Sequence, residues 1–141
     1  MNKRTGKILI AHPNIPEYHW FYKSVIFIYS DRSNQGSMGL MLNTKSGVTL
    51  KELFEYKDFL YNDNKNQVRL GGPVSSSAIV MLHSNDWKST NTMQVNQNFS
   101  ITSNLDMFQR LSNDDNPKFW RIMMGICSWA PGQLDMEING D

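Results

Sequence analysis

Apolar residues fall along this chain in short runs rather than at sustained helical spacing. Residues 7–11 (KILIA) predict a buried strand, stopped by His12-Pro13 and Pro16. An aromatic, irregular segment follows over residues 16–22, and residues 24–29 (SVIFIY) predict a second strand rich in β-formers. A polar turn at 31–36 leads into a third strand over 37–43 (SMGLMLN), so residues 25–42 read as a hairpin with a longer loop. Thr49 and Glu52 have capping-box spacing and predict a short helix that buries Leu50, Leu53 and Phe54.

Farther on, strands are predicted at 67–70 (QVRL) and 78–83 (AIVMLH), with shorter ones near 93–95 and 99–102. Ser103 to Asp106 should cap a helix carrying Leu105, Phe108 and Leu111, which SNDDNP then stops. A last core strand is expected over 118–124, broken by Gly125. Pro131 suits the first turn of a final helix that runs towards Ile138. Strands outnumber helices without alternating with them, which gives an α+β fold with a largely antiparallel sheet or barrel. No repeat or linker divides residues 1–141, and one domain is expected.

Composition narrows the function more by exclusion than by assignment. Lysine and arginine total 14 against 13 acidic residues, a net charge of +1, so the footprint of a generalised nucleic-acid or anionic-membrane binder is missing. Only Lys3, Arg4 and Lys7 cluster, and no predicted helix carries a basic reading face. No apolar run has a transmembrane or signal-peptide length. A soluble, cytoplasmic protein is the expectation. The asparagine excess fits an AT-rich genome, such as that of a phage.

Candidate chemistry is sparse. His12, His19 and His83 lack metal-ligand spacing, and the one cysteine, Cys127, excludes an internal disulfide or a cysteine-rich zinc site. Neither metal nor cofactor is expected. Cys127 reads first as a small buried hydrophobe, and as a nucleophile only if a base lies near in space. Gly71-Gly72-Pro73 follows a strand but lacks the residues of a P-loop or a dinucleotide fingerprint, which favours a structural turn. Gly36 and Gly39 likewise suggest a bulge or close backbone approach, with Met38, Met41 and Leu42 as core or near-core residues. Gln133 and Glu137, four apart, share one face of the final helix, and Asp135 points elsewhere. No constellation for general acid–base catalysis emerges, so no enzyme is predicted.

Taken in order, GKILIAHPNI, YKSVIFIYSDRSNQGSMGLMLNTKSG, VRLGGPV, Leu82-His83 and MMGICSWAPGQLDMEI resemble the YqgE/AlgH family of small bacterial proteins. The resemblance implies an α+β fold with a bifurcated sheet, closed in part like a small barrel and flanked by helices. It implies no reaction, because members are labelled transcriptional regulators of unsettled biochemistry. Several positions depart from the family pattern. Lys23 stands where an arginine is usual, Asn43-Thr44-Lys45 lacks the usual proline, and Asp135 replaces a common glutamate. Gly125-Ile-Cys-Ser-Trp129 differs from Gly-Tyr-Ala-Gly-Trp, so no family role passes to Cys127. Members also continue with a further strand and helix where this sequence stops, which would leave a surface for oligomer formation.

The reading that follows is a non-enzymatic regulatory protein that binds a protein partner. Ligand or partner contacts are assigned to Lys23, Asn43, Gly71, Gly72, Pro73, Trp129, Gln133 and Glu137. The alternatives are a small-molecule or nucleotide binder, or a weak hydrolase, that uses Asn43, Gly71-Gly72 and Gln133 together, and a regulator that contacts DNA directly.

Overall fold

The computed structural model describes residues 4–17, 19 and 21–139. Lys3 of the basic trio, and Tyr18 and Trp20 of the aromatic segment, lie outside the described residues. In chain order the elements are β1 (Ile8–Ile10), β2 (Val25–Arg32), β3 (Gly36–Met41), β4 (Lys45–Thr49), α1 (Leu50–Tyr56), β5 (Gln67–Leu70) and β6 (Val74–Ser84). They continue with β7 (Met93–Gln94), β8 (Phe99–Thr102), α2 (Asp106–Ser112), β9 (Trp120–Trp129) and α3 (Gln133–Ile138). The path through the sheet is β1-β2-β3-β9-β6-β8-β7, with the β4–β5 pair attached to β9 through β5. Every pairing is antiparallel except β5 with β9. The sheet curls into a half-barrel, an α+β architecture.

β9 joins the two halves of the sheet. Its first part pairs with β6 and β5, and its last three residues turn to β3, with Ser37 opposite Trp129. Gly125 was expected to end this strand, yet the strand runs through it. At φ +80° Gly125 bends the strand so that it changes neighbours without stopping. Gly71 stitches the junction: its N–H donates to Met124 O (2.7 Å) and its carbonyl accepts from Met41 N (2.8 Å).

Alternation explains why the strand runs look apolar throughout. Phe27, Leu40, Val80, Leu82 and Met123 form one cluster against the sheet. Ile26, Ile28, Met41, Cys127 and Trp129 face the other way and are covered by Leu134 of α3. The third cluster packs α1 and α2, through Leu53, Phe54, Phe108 and Leu111, against Val68, Met81 and Ile122. Strands buried on both faces lose the polar alternation of a half-exposed sheet.

Four local expectations are corrected. The first strand is an edge strand and not buried: it pairs with β2 alone, and Ile8 and Ile10 are 53% and 79% exposed. Asn104, rather than Ser103, caps α2. Its Oδ1 accepts from Met107 N at 2.9 Å, while Ser103 Oγ donates to Ile79 O. Pro131 lies in the turn before α3, which begins at Gln133. Met38 alternates out of the core onto the exposed side of β3. The capping box holds as expected: Thr49 Oγ1 accepts from Glu52 N, and Glu52 Oε1 accepts from Thr49 N.

Candidate functional site

The residues singled out in the sequence fall into three places. Asn43 lies just beyond β3, where its Oδ1 accepts from Val25 N (3.1 Å) and its Nδ2 donates to Lys23 O (2.9 Å). That amide joins the loop before β2 to the end of the hairpin, and the Lys23 ammonium sits 5.4 Å from the Tyr22 ring centre. Gly71 and Gly72 are buried against β9, and Pro73 is exposed beside them. Trp129, Gln133 and Glu137 gather at α3. Gln133 Oε1 accepts from Ala130 N (2.9 Å), and Gln133 Nε2 donates to Glu137 Oε2 (2.8 Å). The Arg4 guanidinium pairs instead with Asp135, tying α3 to the chain before β1. Asn43 and Gln133 lie beyond opposite ends of β3, roughly 20 Å apart by strand rise.

The third place adjoins a surface cavity of about 300 Å³ between β1, the 12–22 segment and α3. Trp129 and Glu137 line it with Ile10, Phe21, Leu134 and Ile138. Phe21 packs against Trp129 with ring centres 5.9 Å apart, so this wall is aromatic. The outer edge of β1 has no partner strand among the described residues and runs along the same groove. An exposed strand edge beside exposed isoleucines is a template for an added strand. Sequence reasoning missed Ile10, Phe21 and Ile138, because an apolar residue carries no signal of exposure.

His12 Nδ1 and His19 Nδ1 accept backbone N–H groups two residues ahead, from Asn14 and Phe21. Cys127 is fully buried, and burial pushes its thiol up to about 12. Among the described residues no three His, Cys, Asp or Glu side chains come together as a metal site. No described helix is long and apolar enough to cross a membrane.

His83 ends a buried hydrogen-bond chain. Its Nδ1 lies 2.8 Å from Ser84 O, so Nδ1 carries the proton and donates. With the ring neutral, Nε2 accepts from Thr102 Oγ1 (2.7 Å), which accepts from Thr92 Oγ1 (2.6 Å), which accepts from Ser89 N. This polarity requires a neutral ring. Burial pushes the His83 pKa below its ordinary 6.5, although the Ser84 carbonyl and the Asp86 carboxylate pull it upward. An unfolded histidine takes up its proton near that ordinary value, so below it the unfolded state binds more protons. Stability should therefore fall as pH drops from about 7 to about 5. Melting temperatures of wild type and His83→Gln across that range test this. An equal slope in both proteins would show that other groups are responsible.

The curled, mostly antiparallel sheet with three helices places the chain in a recognisable class of small α+β proteins. The family model DUF179, AlgH-like, matches residues 8–141, and the chain belongs to that family. A UPF0301 protein of Ruegeria pomeroyi is 34% identical over 139 residues, covering 96% of this chain and 74% of that protein. A UPF0301 protein of Haemophilus influenzae strain PittEE is 31% identical over 99% of this chain and 76% of its own length. The solution structure of the AlgH protein from Pseudomonas aeruginosa matches with a TM-score of 0.76 at 25% identity, over 94% of this chain and 70% of that one. A Corynebacterium diphtheriae protein shares the fold, with a TM-score of 0.76 at 21% identity, over 99% of this chain and 73% of that one. None of these names states an enzymatic activity.

Proposed function

We propose that this AlgH-like protein is a non-catalytic interaction protein whose regulatory role runs through a protein partner. The partner contributes an extended, apolar segment that adds to the free edge of β1 and sets alternate side chains into the groove against α3. The observation that carries this is the juxtaposition of a strand edge that has no partner among the described residues with a groove lined by Ile10, Phe21, Leu134 and Ile138. Main-chain hydrogen bonds would supply affinity and the groove would supply specificity. Of the residues assigned from sequence, Trp129 and Glu137 line this groove, and Gln133 holds Glu137 in place.

A photo-crosslinking residue placed at Ile10 in the native cells tests this reading, with the same residue at Tyr56 as control. Tyr56 is 81% exposed and lies on α1. The expected result is a discrete crosslinked protein from position 10 only, attached through a segment of alternating apolar residues. Ile138→Asp should reduce that product at least about tenfold. Equal labelling from both positions, or crosslinks only to a second copy of the chain, would overturn the reading.

A further inference from the structure

The first residues of β9 border a second site built from different residues. Leu42, Leu82, Phe99, Phe119 and Trp120 wall an apolar cavity of about 480 Å³. Next to it lies a polar cavity of about 330 Å³ lined by Tyr61, Gln67 and Arg69 among others. Trp120 and Arg121 line both, so the two cavities meet at the first residues of β9. Both volumes fall in the range of small-ligand sites.

The charge lining this junction is net positive, with Arg69 and Arg121 against the single carboxylate of Asp63. Arg69 of β5 stands directly opposite Lys45 of β4, an arrangement that destabilises a bare sheet pair. Arg69 also lies opposite Met123 of β9, and Arg121 is two residues before Met123, so the two arginines share a face. Among the described residues none of these three cations is in an ion pair. Arg121 uses one Nη1 bond, to Leu42 O at 3.1 Å, out of the five donors of a guanidinium. The one carboxylate lining the cleft, Asp63, is occupied by Lys65 N, Asn66 N and Asn66 Nδ2. Two arginines against this one carboxylate leave the lining of the polar cavity with one positive charge in excess.

The geometry points to a binding site for a small aromatic anion: a planar ring held by Phe119 and Trp120, with a phosphate or carboxylate on Arg69 and Arg121. Trp120 is already braced edge-to-face by Tyr61, with ring centres 6.0 Å apart, which fixes the ring wall before a ligand arrives. Two guanidinium forks match the geometry of either anionic group, and the ligand charge would relieve the Lys45–Arg69 repulsion. The site shares no residue with the β1–α3 groove, so it stands or falls separately from the partner reading.

Titration of the whole protein with 1-naphthyl phosphate, followed by NMR, tests the proposal. The comparison ligands are 2-naphthol (ring alone), inorganic phosphate (anion alone) and 1-naphthoate (ring with carboxylate). The expected result is that 1-naphthyl phosphate or 1-naphthoate binds at least about tenfold tighter than both single-feature controls, and that the Trp120 indole N–H shifts. The stronger of the two identifies the anionic group. Arg69→Gln and Arg121→Gln should each weaken binding about tenfold and steepen neither melting nor unfolding curves. Phe119→Ala, at a side chain 63% exposed, removes the ring wall without touching the core and should weaken binding as well. Equal binding of 2-naphthol, shifts elsewhere on the protein, or affinity unchanged in all three variants would overturn the site.

Discussion

Gly72→Ala is expected to destabilise the protein by about 4 kcal/mol or more, most of the stability of a domain at the lower end of the usual range of about 5–15 kcal/mol. A Cβ on Gly72 would lie 2.2 Å from Ile126 O and 2.5 Å from Cys127 N, both backbone atoms that cannot swing aside. The contact is reciprocal, because a Cβ on Gly125 would lie 2.4 Å from Gly72 O while Gly125 itself sits at φ +80°. These glycines let the chain before β6 pass against β9 where the sheet divides, so the damage would fall on the junction of both halves. Gly47→Ala is the matched control. That glycine also has positive φ, but nothing lies within 4 Å of its added Cβ, so only the backbone term of about 1 kcal/mol is expected. Urea denaturation of the two variants separates the cases. A Gly72→Ala protein as stable as the Gly47→Ala protein would mean that β9 can move aside.

That contrast also shows what the sequence made legible. Gly71-Gly72-Pro73 reads as a structural turn, but nothing local shows that the turn presses on a strand more than 50 residues later. SVIFIY was sufficient to place β2, because residues buried on both sheet faces leave a continuous apolar stretch, and KFWRIMM placed the first half of β9, whose continuation through Gly125 to Trp129 it did not show. The same logic misread β1: ILI looks identical whether a neighbour covers it or leaves it at the edge. β4 went unseen because KSGVT holds one large apolar residue and owes its strand to pairing with β5. The resemblance supplied the bifurcated sheet, which periodicity alone left as a sheet or a barrel. Arg69 and Arg121 were out of reach for another reason. They meet only through the parallel β5–β9 pairing, and such long-range register has no signature in one chain.

Trp129→Ala is expected to cost about 3–5 kcal/mol, although the sequence marks Trp129 as a residue for a partner. The side chain is 4% exposed and belongs to the cluster with Ile26, Ile28, Met41, Cys127 and Leu134. Truncation would open a cavity beneath α3 and remove the ring against which Phe21 packs. α3 is six residues long and has one buried residue, Leu134, so its hold on the sheet depends on few groups, the Arg4–Asp135 pair among them. Loss of stability and loss of the groove should therefore arrive together in this variant, with a lower melting temperature and earlier hydrogen exchange in α3 than elsewhere. Ile10→Asp should behave oppositely: at 79% exposure it keeps the melting temperature and removes only the apolar lip beside the strand edge. A partner whose binding survives Ile10→Asp but not Trp129→Ala would be sensing the folded state of α3, and the strand-edge reading would fall. Loss of binding in Ile10→Asp at an unchanged melting temperature separates recognition from folding, which no substitution at Trp129 can do.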